Sequence, residues 1–400
     1  MALSDGTTLT IDVSSMAHRR GEVLIAGTPT YLWPRGSARG GAPLDAPLAF
    51  GVVRDVRGRY AVVPAPAVPG AKHPRVVSAG NDGWHAVFVT GSQGTPMNAL
   101  AFMDAEIWYG RYDGRRWTDV SRIARVHAAE LLPGRSSGLV ATPSGIAFAY
   151  AFDRSAERGS RAAGNQGLVL LRRRGSEWKA DTLQTWEGPG DVQLATDTSG
   201  VIVAAYTQAY FEGGRPHGPD LFTARFDARW ERPRLAINVP SRYVAAPMLP
   251  RRVHAGSVIA WQSAQAGAEG AVLEWGVFGH DQVVRSRGHV AAGSIMDRPA
   301  MLQAGGASAL WLLRDGKSQT SLRLIVARDT TLQDLGSIQV PLDNPTPHAA
   351  VLEDGTILIV TGGLGRSPSD PPASSYLTTA VVRCTGARPV ERAVRVPSNQ

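Results

Sequence analysis

Strongly apolar runs recur along the chain, each entered through a turn glycine and each preceded by a shorter, more mixed segment. The run after Gly83 reads "WHAVFVTG" and the run after Gly145 reads "IAFAYAF". Neither alternates strictly, and each is too short for a buried helix, so the pattern predicts strands covered on both faces. Seven stretches share this form: "LTIDVSSMAHRRGEVLIAG", "PRVVSAGNDGWHAVFVTG", "SGLVATPSGIAFAYAF", "DVQLATDTSGVIVAAY", "APMLPRRVHAGSVIAWQ", "RPAMLQAGGASALWLL" and "HAAVLEDGTILIVTG". Their turn glycines are Gly21, Gly83, Gly145, Gly200, Gly256, Gly306 and Gly355, separated by 62, 62, 55, 56, 50 and 49 residues. One such unit cannot bury both faces of its own sheet, whereas copies packed side by side can.

After each apolar strand comes a variable polar loop and then two more strands joined by a tight hairpin. In the second unit these are "AEIWYGRY" and "RWTDVSRI", with Asp113-Gly114 between them. The hairpin returns in weaker form as "LLRRRGSEWKADTL" and "TARFDARWERPRLAI", where Trp178 and Trp230 stand in the place of Trp117. Four antiparallel strands per unit, repeated seven times, predict an all-β, seven-bladed β-propeller in one domain. Its blades are expected at about 6–68, 72–126, 136–186, 190–240, 242–290, 296–342 and 346–398. Six blades, with the atypical first unit as an appendage, is the alternative count. The three hairpin tryptophans are expected to pack on a neighbouring blade; equivalent sugar-stacking grooves between blades are their alternative use.

The hairpin "YDGRRW" resembles a degenerate Asp-box turn of the sialidase-like propeller superfamily, whose fuller form is Ser-x-Asp-x-Gly-x-Thr-Trp. Asp113, Gly114 and Trp117 keep its acid, glycine and aromatic, while the leading Ser and the Thr are missing. The resemblance implies a propeller whose chemistry, in sialidases, uses an Arg-Ile-Pro motif, arginines gripping a carboxylate, a Tyr nucleophile with a Glu partner, and an Asp acid/base. No Arg-Ile-Pro occurs here, and "DRPA", with Arg298 before Pro299, is the nearest match.

Composition narrows the partners. The formal net charge is +8 and the pI about 10, but 39 of the 42 basic residues are arginine, with lysine only at Lys72, Lys179 and Lys317. That skew is the mark of a GC-rich genome, and the arginines are dispersed instead of forming one basic stripe, so no nucleic-acid partner is expected. No apolar run reaches the roughly 18 residues that span a bilayer, and nothing near Met1 reads as a signal segment, so no membrane partner is expected. The compartment stays open, since an exported protein could have had its signal removed. The single cysteine, Cys384, excludes an intrachain disulfide, and the nine histidines show no H-x-H or H-E-x-x-H spacing, so neither metal nor cofactor is expected. A monomer is expected.

In a propeller the entrances of the innermost strands and the ends of the second strands meet at one face, where loops vary while blades hold them. The long loops "TGSQGTPMNALAFMD", "DRSAERGSRAAGNQG", "TQAYFEGGRPHGPD" and "GGLGRSPSDPPASS" mark that face. Residues expected around it are His73, Arg75, Asp191, Tyr243, Asp297, Arg298 and His348 from inner strands, with Asp153, Tyr206, Trp261 and Arg314 from second strands. Arg75 and Arg298 are candidates for gripping a carboxylate or phosphate, because a planar guanidinium matches either with paired hydrogen bonds. Asp191 or Asp153 could serve as acid or base, and Tyr206 or Tyr243 as nucleophile or proton donor. The expectation is a small-molecule or glycan ligand, polar and anionic, at the channel mouth, with a divergent sialidase-like hydrolase or lyase as the chemistry. A non-catalytic lectin or interaction scaffold is the alternative, and inter-blade ties are the structural use of the same residues.

Overall fold

The computed structural model describes residues 8–32, 48–56, 59–68, 72–80, 82–93, 101–130, 137–153, 166–185, 189–212, 215–237, 242–265, 271–291, 300–305, 308–314, 321–328, 331–339, 342–343, 348–352, 356–365, 375–385 and 388–395. Among them there is strand and turn and no helix, so no helix is long and apolar enough to cross a membrane.

The first unit is β1 (Thr8–Arg19), β2 (Glu22–Leu32), β3 (Leu48–Val56) and β4 (Arg59–Val68), in that order across its sheet. The second is β5 (Lys72–Ser78), β6 (Trp84–Gln93), β7 (Ala101–Tyr112) and β8 (Trp117–Glu130). The third is β9 (Ser137–Thr142), β10 (Gly145–Asp153), β11 (Gln166–Arg174) and β12 (Glu177–Gln184). The fourth is β13 (Val192–Asp197), β14 (Ile202–Glu212), β15 (Arg215–Phe226) and β16 (Arg234–Ile237). The fifth is β17 (Arg242–Met248), β19 (Val258–Gln265), β20 (Ala271–Phe278) and β21 (Val284–Ala291), with the short β18 (Arg252–Val253) in its first turn. The sixth is β22 (Ala300–Gly305), β23 (Ser308–Arg314), β24 (Ser321–Arg328) and β25 (Thr331–Gln339). After β26 (Leu342–Asp343), the last holds β27 (His348–Val351), β28 (Ile357–Gly365), β29 (Ser375–Thr385) and β30 (Arg388–Arg395).

The arrangement is a β-propeller, but hydrogen bonding does not divide it into seven separate blades. Five sheets have the four or five strands of one blade, and a sixth has eight strands, containing the second and third units together. The cause is the length of β8: its last residues, Ala129 and Glu130, run on past the hairpin to pair with Phe152 and Ala151 of β10. The count of seven is therefore corrected to five single blades, with the second and third units merged into one larger sheet. The six-blade alternative fails for another reason, since the first unit is no appendage. Val23, Ile25 and Val53 pack with Leu352, Leu358 and Val360 of the last unit, and Leu24, Phe50 and Val52 pack with Trp84, Ala86 and Phe88 of the second. First and last sheets thus touch, and β1 contacts β27, β28 and β29.

The unbroken apolar second strands have the role their pattern predicted. Ala86 and Phe88 of β6 enter the core shared with the first unit, while Val87 and Val89 enter the core shared with the third. Successive side chains of a strand point to opposite faces, so a strand between two neighbours needs apolar residues at every position. Each large side chain so buried contributes roughly 1.5–3 kcal/mol.

The hairpin tryptophans reach back to the preceding unit. Trp117 meets the Phe50 ring edge-on at 4.6 Å, Trp178 meets Tyr109 at 5.4 Å, and Trp230 donates its indole N–H toward the Asp181 carbonyl at 3.5 Å. Asp113 closes the hairpin before Trp117 by accepting the N–H groups of Arg115 and Arg116 at 2.8 and 2.9 Å. Gly114 follows at φ 104°, a conformation that side-chain-bearing residues resist. The local sequence "YDGRRW" therefore sets a turn, and the turn aims an indole at the neighbouring blade.

Candidate functional site

Register shows which residues share the mouth end of the ring. Lys72 pairs with Val89, Ser137 with Tyr150, Val192 with Tyr206, Tyr243 with Ala264 and His348 with Val360, so entrances of inner strands lie beside ends of second strands. At this end the described side chains include a band of buried polar groups from the third, fourth and fifth units: Gln166, Thr185, Asp191, Thr207, Gln208, Asp220, Gln262 and Ser263. Buried polar groups are retained mostly where partners hold them, and the partner of Asp191 belongs to the next unit.

Arg75 is nearly buried, and its guanidinium donates to the carbonyls of Pro74 and Ser137, both at 3.2 Å. It therefore ties the entrance of β5 to the entrance of β9. Asp191 is also buried; its carboxylate accepts the Ala246 N–H at 2.6 Å, and its own N–H donates to the Thr207 hydroxyl at 3.0 Å. Ala246 has φ 46° and sits where the pairing of β17 with β19 shifts register. The carboxylate so holds an irregular stretch of the next inner strand in place. Ser15 makes the same kind of tie one seam earlier, accepting the Val76 N–H at 2.9 Å. Two of the residues expected to contact ligand or perform chemistry are thus engaged in joining consecutive inner strands, which is the structural use open to them from the sequence.

The remaining candidates divide by exposure. Tyr243, at the start of β17, is 46% exposed and stands at the mouth. His73 and His348 are half-buried at the entrances of β5 and β27, and His73 has φ 51°. Tyr206 and Trp261 are fully buried, so neither presents a face to a ligand. The Tyr206 ring stacks on Phe222 at 6.0 Å, its hydroxyl has no hydrogen-bond partner among the described residues, and burial pushes its pKa well above the ordinary tyrosine value. A hydroxyl so placed is a poor nucleophile at neutral pH. Asp153 and Arg314 lie at the ends of β10 and β23, paired with Gln166 and Leu322. Asp297 and Arg298 lie outside the described residues, as do Gly306, Gly355 and most of the long loops.

Reading the sequence missed Thr207, Gln208, Ser263 and the nearly buried Glu274, whose carboxylate accepts the Ser263 hydroxyl. The signal was present in "AAYTQ" and "IAWQS", where each apolar second strand turns polar at its end. Among the described residues no group of three or more His, Cys, Asp or Glu side chains could hold a metal ion.

The opposite, turn end of the second and third units carries a compact polar network. Arg173 donates to the Tyr109 hydroxyl and lies 4.4 Å over its ring, and that hydroxyl is 2.7 Å from Nδ1 of His85. Asp119 stands 3.7 Å from Arg173 and 3.4 Å from Arg111. Burial, with Arg173 adding to it, lowers the His85 pKa to about 4, and burial raises that of Tyr109 to about 12.

No family model matches the chain, and no curated protein matches it in sequence. Solved structures do resemble it. Over 92% of its length, and 94% of the other chain, it is similar to an ulvan lyase, a polysaccharide lyase solved with a GlcA(1-4)Rha3S unit, at 10% identity and a TM-score of 0.51. A puromycin-hydrolysing peptidase of Mycobacterium tuberculosis matches 96% of the chain at 14% identity and a TM-score of 0.49, with 52% of that chain covered, so this chain spans about half of the peptidase. An α-L-arabinanase of Penicillium chrysogenum, solved with arabinobiose, matches 94% of this chain and 98% of its own at 11% identity and a TM-score of 0.45. At these identities the likeness shows the fold, an all-β propeller arrangement.

Proposed function

We propose that the protein binds a glycan or a similar polar, anionic ligand at the mouth end of the ring, as a divergent member of the sialidase-like propellers. The observation that carries this reading is Tyr243, an exposed aromatic at the entrance of an inner strand, beside the end where buried polar side chains concentrate. An aromatic face takes the C–H side of a sugar ring, and fixed polar groups around it orient the hydroxyls. In this reading His73, His348, Asp153, Arg314, Asp297 and Arg298 form the rim, while Arg75 and Asp191 hold its inner strands. Polysaccharide-directed neighbours such as the ulvan lyase and the arabinanase are in keeping with it.

Binding takes precedence over hydrolysis in this proposal, because the Asp191 carboxylate is occupied by the Ala246 N–H and the Tyr206 hydroxyl is sealed in the core. A lectin with several sites between blades is the weaker alternative, because Trp117, Trp178 and Trp230 are turned onto the preceding unit. Calorimetric titration with glucuronate, sialic acid and neutral sugars tests the choice. One Tyr243-dependent site per chain is expected, selective for an acidic sugar and weakened about tenfold, roughly 1.4 kcal/mol, by Tyr243→Ala. Equal binding by parent and variant would remove the mouth from consideration, and a set of equivalent sites for neutral sugars that survives Tyr243→Ala would favour the lectin.

A further inference from the structure

A second feature lies at the other end of the ring. The short β18 pairs in parallel with β13, Thr196 with Arg252 and Asp197 with Val253. Because β13 already has β14 on its outer side, β18 occupies its inner, axis-facing edge. Arg251, one residue earlier, is fixed there through its carbonyl, which accepts the Thr196 N–H at 3.1 Å. The segment "LPRRVHAG", 249–256, brings Arg251, Arg252 and His254 to this place and contains no acid. All three side chains are exposed, while Val253 between them is buried and anchors the segment in the core.

Arg251 is exposed, with partial desolvation drawing its pKa down from the ordinary arginine value. It makes no ion pair with any described residue. The acid on the facing strand, Asp197, is already occupied: it accepts from the N–H groups of Ser199 and Val201, from the Ser199 hydroxyl, and from Arg225 at 2.5 Å. An exposed cation held at the axis-facing edge, on a segment without an acid and with no ion pair to any described residue, is open to an anion. His254 adds a neighbouring ring whose Nδ1 lies 3.0 Å from the Ser257 hydroxyl.

We propose that Arg251, supported by Arg252, forms an oxyanion-binding site at the turn-end opening of the ring, taking a sulfate or carboxylate group. A planar guanidinium presents paired N–H groups that such an oxyanion matches, which ammonium does not. The site is separate from the mouth and does not depend on what binds there.

The test is calorimetric titration of the full chain at low ionic strength with inorganic sulfate and, separately, with sodium glucuronate. Saturable binding of sulfate alone indicates a free inorganic anion as the ligand; binding of both indicates an acidic group that a sugar can carry. In either case Arg251→Ala is expected to weaken sulfate binding at least about tenfold, and Arg251→Lys to restore only part of it. Arg252→Ala should weaken it less, and Tyr243→Ala should leave sulfate binding unchanged. Since the backbone carbonyl of residue 251 does the anchoring, the variants should keep the parental melting temperature. Absence of saturable binding by the parent, or equal binding by Arg251→Ala, overturns the site. Loss of glucuronate binding in Tyr243→Ala alone would concern only the mouth.

Discussion

Two buried tyrosines on neighbouring seams of the ring show opposite solutions to the same problem. Tyr109, at the turn end between the second and third units, receives a hydrogen bond from Arg173 and faces Nδ1 of His85. Tyr206, at the mouth end between the third and fourth units, is equally buried among aliphatic side chains and its hydroxyl meets no partner among the described residues. Apolar burial holds both seams, but only the first also has directional bonds, which fix the angle and register of one sheet on the next. The same seam carries the β8 to β10 strand pairing, so two units there behave as one sheet.

The largest expected difference is a response to pH. His85 is kept neutral with a pKa of about 4, against an ordinary value of 6.5. The unfolded chain takes up a proton as pH falls through 6.5, whereas the folded chain does so only near 4. Stability tied to His85 is therefore complete only well above pH 6.5 and is lost as pH falls through 6.5 toward 4. Between pH 7.5 and 5 the loss is expected to be about 2 kcal/mol, approaching 1.36 kcal/mol per pH unit below 6.5. The carboxylates whose pKa values are lowered, Asp113, Asp197, Asp281 and Glu106, start from 3.8 or 4.5 and act below this window. Urea unfolding at pH 7.5, 6.5 and 5 would measure the loss, and His85→Phe should flatten it. A parental slope in that variant would assign the effect elsewhere.

Next in size is Tyr109→Phe. With the hydroxyl gone, Arg173 loses an acceptor and the buried His85 Nδ1 its partner, a cost of roughly 1–3 kcal/mol. Arg173 would keep Asp119 at 3.7 Å, which holds the loss toward the lower half of that range. Denaturant midpoints of parent and variant at pH 7.5 give the comparison; an unchanged midpoint would show that the network adds nothing to the seam.

The sequence carries the first layer of this contrast and not the second. Turn glycines at regular separations and unbroken strands such as "HAVFV" define the repeated unit, because periodicity and burial leave their mark in local composition. The tryptophan hairpin was legible for the same reason, since Asp113, Gly114 and Trp117 act on one another within five residues. Whether two units share a sheet depends on two residues at the end of β8 meeting the end of β10, which no local pattern encodes. Arg75 and Asp191 were placed at the right end of the ring, but their partners are main-chain groups of the next unit. Backbone acceptors carry no residue type, so an arginine spent on a carbonyl and one waiting for a ligand look alike in sequence. Arg251 escaped for a related reason: its position follows from a parallel two-residue bridge, too short to leave a pattern.

The smallest predicted effect is also the most discriminating. Tyr206→Phe removes one oxygen, leaves the ring stacked on Phe222, and takes away a buried hydroxyl that has no hydrogen bond. Where Tyr109→Phe costs stability, Tyr206→Phe is expected to leave it unchanged or raise it by up to about 1 kcal/mol, because the desolvation penalty of an unpaired hydroxyl disappears while apolar contact is kept. A loss of more than about 1 kcal/mol would mean that the hydroxyl has a partner in solution, and the two seams would then be alike. A second readout separates structure from chemistry: if the mouth proves to be catalytic and this stable variant loses turnover while still binding ligand, the hydroxyl is tolerated at a cost because it reacts. If turnover and binding both persist, the oxygen is simply a polar atom the seam does not need.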